Sequence, residues 1–118
     1  MQAKIDVDGP TVVARVEGKQ IEADSAAQLY QQIQAALPPQ GGARVAIDLS
    51  NVDFLDSSGL GSLVSLLKEV RPTGDVVLYG AKSSVVEILR LTHLDAVFHV
   101  APDRSAAVQH LGQASNPA

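Results

Sequence analysis

The sequence predicts an α/β fold, a single domain in which a mixed, mostly parallel β-sheet of about four to five strands carries packed helices. The chain opens on a hairpin pattern, and after it helical apolar stripes alternate with β-branched runs. Parallel neighbours need crossover connections, so that rhythm implies helices laid over a sheet. At 118 residues the chain has the length of one domain, and folding would bury about two thirds of the surface of its unfolded form.

Each element has its own signal. Ile5 and Val7 alternate with polar neighbours, Gly9-Pro10 marks a turn, and residues 12–16 (Val-Val-Ala-Arg-Val) form a β-branched run that Gly18 ends. Ser25-Ala26-Ala27-Gln28 has capping-box spacing for a helix with the stripe Leu29, Tyr30, Ile33 and Leu37, which Pro38-Pro39 stops. After the loop Gln40-Gly41-Gly42, residues 44–49 read as a largely buried strand. In residues 57–70, Leu60, Leu63, Val64 and Leu67 share one helical face, and Ser58, Ser62, Ser65 and Glu69 another.

Pro72-Thr73-Gly74 breaks that helix, and residues 75–79 form the next strand. Ser84-Val85-Val86-Glu87 has capping-box spacing and opens a short helix with Val85, Ile88 and Leu89, before an expected strand at residues 97–100. Asp103 is placed to cap a last helix bearing Ala107, Val108 and Leu111. The domain is expected over residues 1–112, with 113–118 a frayed polar tail. The chain has no internal repeat and no linker.

Composition narrows the function classes. Apolar residues are 46% of the chain and aromatics 3%, so the core is aliphatic and base-stacking surfaces are scarce. The net charge is −4 and the basic residues are scattered, which argues against direct nucleic-acid binding. There is no cysteine for a disulfide or a thiolate metal site. The N-terminus lacks the apolar stretch of a signal peptide, and no run reaches the roughly 20 apolar residues that span a bilayer. A cytoplasmic protein without membrane insertion is the expectation.

Residues 47–63 are the most informative segment: an apolar strand runs through an acidic loop into a helix that starts near Asp56-Ser57-Ser58. Asp and Ser are common N-caps, because their side-chain oxygens accept from first-turn N–H groups. The same free N–H groups and the positive end of the helix dipole favour an anion, so a phosphoserine there would be stabilised by its own backbone. Asp53 and Asp56 lie close in sequence and would oppose the added charge of about −1.5 to −2. Gly59 and Gly61 each cost a helix roughly 1 kcal/mol relative to alanine. They permit either the close approach of a partner backbone or tight packing of the helix on its own sheet.

Asp48-Leu49-Ser50 and Asp56-Ser57-Ser58-Gly59-Leu60-Gly61, joined by a five-residue connection containing Phe54, resemble the signature of the STAS family, in particular its bacterial anti-sigma-factor antagonists. The element order is similar over nearly the whole chain. The resemblance implies that Ser57 is phosphorylated by an anti-sigma factor that is also a serine kinase, and is restored by a metal-dependent serine phosphatase. The unphosphorylated form would hold the kinase and release sigma. Asp56, Ser58, Gly59, Gly61, Ser62 and Ser65 would shape the partner-binding surface. Typical members carry Gly-x-Leu-Asp after the second strand; here Gly18-Lys19-Gln20-Ile21-Glu22 is one residue longer and ends in Glu. Glu22 therefore substitutes for that partner-binding acid, or this edge binds a different partner, or Glu22 is simply a solvated loop charge. A rival role within the same fold is that of an accessory subunit of a lipid or anion transport complex in the membrane.

Catalytic readings are weaker, and no catalytic residue, cofactor or metal is assigned. Gly59-Leu60-Gly61 would open a dinucleotide fingerprint, but Val64 stands at its third glycine. There is no phosphate loop of the Gly-x-x-x-x-Gly-Lys type and no Gly-x-Ser-x-Gly elbow. A small nucleotide-binding enzyme is thus disfavoured. His93, His99 and His110 show no close ligand spacing, and the loop carboxylates Asp48, Asp53 and Asp56 are more simply caps and solvated charges.

Overall fold

A computed structural model describes residues 3–71 and 73–114, with the backbone alone described at 113 and 114. Pro72 and the tail beyond Ala114 lie outside the described residues, as do Met1 and Gln2. The hairpin forms as expected: β1 (Ala3–Asp8) pairs antiparallel with β2 (Thr11–Val16), and Gly9 adopts positive φ in the turn between them. Every later pairing is parallel. The strands β4 (Arg44–Asp48), β6 (Asp75–Tyr79) and β7 (His99–Ala101) extend the sheet in the order β1-β2-β4-β6-β7.

The period of two in the strands divides the core. Ala14, Val16, Val45, Ile47, Val76 and Leu78 point to the face covered by α1 (Ala23–Ala36), α2 (Ser57–Val70) and α3 (Ser83–Leu91). Val13, Ala46, Val77, Tyr79 and Ala101 point to the other face, under α4 (Arg104–Ala114). With both faces buried, the central strands read as continuous apolar runs rather than alternating ones. The α2 stripe includes buried Leu66 and Val70 beside Leu63 and Leu67, while Leu60 and Val64 are half-buried.

Several boundaries differ from the sequence reading. Helix α1 starts three residues earlier than a Ser25 cap implies: Glu22 is the N-cap, and Ser25 is the third helical residue of a reversed capping box, its Oγ accepting the Glu22 N–H at 2.8 Å. Helix α3 starts at Ser83 with no side-chain cap, because the Ser84 hydroxyl is spent on a loop carbonyl described below. The expected strand at 97–100 begins at His99; Val97 closes a short 3₁₀ turn (Leu94–Ala96), and Phe98 is buried in the core. Helix α4, capped by Asp103 as expected, runs through Ala114; the rest of the tail expected at 113–118 lies outside the described residues.

Candidate functional site

Two strands of two residues each position the site. β3 (Gln20–Ile21) pairs in parallel with β5 (Phe54–Leu55), with Ile21 opposite Leu55 and the Ile21 carbonyl accepting the Asp56 N–H at 3.2 Å. The Lys19 carbonyl accepts both the Asp53 and the Phe54 N–H. Each strand leads directly into a helix, so α1 and α2 start side by side, with their N-caps Glu22 and Asp56 next to each other in register. Two positive helix ends therefore share one surface. Strands this short carry no readable period, and sequence reasoning missed them.

Asp56 caps α2: its Oδ1 accepts the Gly59 N–H at 2.8 Å and its carbonyl accepts the Leu60 N–H at 2.9 Å. The capping role read from sequence is thus real, and it leaves the Ser57 and Ser58 amides without an intramolecular partner among the described residues. Ser57 and Ser58 are both exposed as the first two helical residues. The Ser57 hydroxyl makes no hydrogen bond among the described residues, so it is open to an incoming phosphoryl group.

The two glycines separate. Gly59 is buried, and a Cβ there would lie 2.5 Å from the Ile21 carbonyl oxygen. Packing within the chain demands it, and it offers no surface to a partner. Gly61 is exposed, with nothing within 4 Å of a Cβ. Ser62 is half-buried and its Oγ donates to the Gly59 carbonyl at 3.1 Å, whereas Ser65 is exposed one turn further on. The outer face of α2 is therefore Ser57, Ser58, Gly61 and Ser65, shallow and uncharged as far as Lys68.

Charge near Ser57 is more balanced than sequence adjacency implies. Asp53 pairs with Lys82 at 2.6 Å, and that hydrogen bond holds its carboxyl below the ordinary range. The Ser84 hydroxyl donates to the Asp53 carbonyl at 3.1 Å, tying the start of α3 to the same loop. Phe54 remains 43% exposed in β5, against which α3 packs. Lys82 and Ser84 lie about thirty residues from Asp53 along the chain, so no local pattern could have found them. Two of the histidines, for which no close pairing was expected, do meet: the His99 and His110 rings stack in parallel at 3.7 Å. Among the described residues no group of three or more His, Cys, Asp or Glu could hold a metal ion, and no helix is long and apolar enough to cross a membrane.

The profile of the STAS domain matches residues 2–107. The chain belongs to the STAS domain family. Among STAS relatives, a Bordetella bronchiseptica protein named as an anti-sigma factor antagonist, BtrV, is 32% identical over 81% of this chain and 76% of its own. An anti-sigma factor antagonist from Mycobacterium paratuberculosis superposes with a TM-score of 0.83 at 25% identity, covering 94% of this chain and 93% of that one. The Bacillus cell fate determinant SpoIIAA in its phosphorylated form superposes with a TM-score of 0.69 at 20% identity, over 92% of this chain and 98% of that one.

Proposed function

We propose that this STAS protein is an anti-sigma factor antagonist controlled by phosphorylation of Ser57. Its unphosphorylated form binds an anti-sigma factor that is also a serine kinase, and so releases sigma; a metal-dependent serine phosphatase restores that form. The protein is a substrate and binding partner in this circuit, not an enzyme. The observation that carries the reading is Ser57 itself, an exposed hydroxyl on the first residue of α2 with its neighbouring amides uncommitted. BtrV, an antagonist by name, supports the output, and the phosphorylated Bacillus protein of the same fold supports the modification.

Glu22, Asp56, Ser58, Gly61 and Ser65 surround Ser57, and a close-fitting partner would cover them. A phosphate of nearly two charges in that contact leaves a desolvated, unpaired charge, which costs several kcal/mol and dissociates the complex. The test is capture from native-cell lysate with wild-type, Ser57→Ala and Ser57→Asp baits. A kinase-fold regulator should be retained by wild type and Ser57→Ala and lost by Ser57→Asp. Transporter subunits retained equally by all three would replace this reading with that of an accessory transport subunit.

A further inference from the structure

We infer that the α4 face of the sheet, opposite Ser57, carries a second site that takes a small carboxylate bearing an amine or hydroxyl group. Helix α4 packs on β4, β6 and β7 and covers Val13 of β2, leaving β1 and the Arg15 end of β2 open on this face. Arg104, the first residue of α4, reaches back across the gap to Asp6 at 3.1 Å and Asp8 at 3.3 Å on β1. Beneath this strap lies a cleft of about 480 Å³ lined by Lys4, Asp6, Arg15, Asp48 and Tyr79, within the range of about 300–1,000 Å³ typical of small-molecule sites. Val13 and Tyr79 form a largely buried floor.

The polar lining is ordered by the sheet. Lys4, Arg15, Asp48 and Tyr79 stand directly opposite one another on four successive strands, β1, β2, β4 and β6. Like charges directly opposite on paired strands are destabilising, yet Lys4 and Arg15 face each other, and neither makes an ion pair among the described residues. Adjacent strands are about 4.8 Å apart, so a carboxylate bridging Lys4 and Arg15 would place a neighbouring amine or hydroxyl one step away, at Asp48. The Tyr79 hydroxyl, a donor at neutral pH like any phenol, interacts with the Asp48 carboxylate, and burial first and Asp48 second push the phenol up. Asp48 Oδ1 also accepts the Ser50 N–H at 2.9 Å, at the start of the loop that leads to Phe54. The cleft thus abuts the segment that precedes Ser57 without including it.

The experiment is an amide-resolved NMR titration of the full chain with L-glutamate and with glutarate, which is the same skeleton without the amine. Both should shift the amides of Lys4, Arg15, Asp48 and Tyr79 saturably, glutamate several-fold more tightly. Arg15→Gln should weaken both at least tenfold without lowering the melting temperature, since Arg15 is exposed, faces Lys4 and makes no salt bridge among the described residues. Asp48→Asn should remove the preference for glutamate. Absence of saturable shifts at these residues, or shifts that Arg15→Gln leaves intact, would overturn the site; equal affinity for the two probes would overturn the role given to Asp48.

Discussion

Gly59 and Gly61 sit two residues apart in one helix and should respond oppositely to the same change. Alanine at 59 drives a methyl to 2.5 Å from the Ile21 carbonyl. The backbone has to move at a cost of about 1–3 kcal/mol, of which the gain in helix propensity returns roughly 1. Alanine at 61 meets nothing and should stabilise the fold by up to about 1 kcal/mol. Urea denaturation of the two variants checks both signs. If the outer face of α2 is the partner surface, Gly61→Ala should also weaken kinase binding while raising stability, a combination that a purely structural glycine would not give. Asp56→Ala removes the side chain that accepts the Gly59 N–H at the α2 start and should cost about 1 kcal/mol. The glycine pair was visible in the sequence, but the division of labour between them was not, because it depends on Ile21, 38 positions earlier in the chain.

Between elements, α1 and α2 are joined on their outer side by Glu69, which accepts from the Tyr30 hydroxyl and from Gln34 Nε2 at 2.9 Å. These bonds hold the Glu69 carboxyl below its ordinary 4.5, Tyr30 first and Gln34 second, and push the Tyr30 phenol above its ordinary 10.0. A lowered carboxyl contributes stability that is present above 4.5 and is lost as pH falls through its folded value. A raised phenol contributes stability that is present below 10.0 and is lost as pH rises through its folded value. Denaturant midpoints should therefore fall on both sides, below pH 4.5 and above pH 10, and Tyr30→Phe should shrink both arms. Sequence reasoning found the long elements, since 14-residue helices such as α1 and α2 present several turns of apolar stripe. It misplaced the starts of α1 and α3, where the polar residue that matched a cap had another partner. Ser25 closes the box from inside the helix, and Ser84 serves the Asp53 carbonyl.

For the whole molecule, phosphorylation should change association and leave the fold alone. The added charge meets two uncommitted amides and two aligned helix ends, and one nearby carboxylate is already paired with Lys82. The phosphorylated protein should keep its melting temperature within about 2 °C, on the scale of a sub-kcal/mol change, while losing the kinase partner proposed for it. A cooperative loss of structure on phosphorylation would contradict this. The family signature and the order of layers were legible from residue types alone, and of the site the segment 47–63 and Glu22 were. Lys82 was not, because it comes from a chain segment that only the folded topology brings alongside Asp53. The two-residue ribbon of β3 and β5 also restricts how the chain can change in length. A residue inserted between Gln20 and Ala23 would turn the fully buried Ile21 outward and release the carbonyl against which Gly59 nests. An insertion at Glu17-Gly18, ahead of the ribbon, would be taken up in the loop. Length variation among relatives in this region should therefore collect before Lys19, and a deletion scan of residues 17–22 scored by soluble yield would show a sharp boundary there.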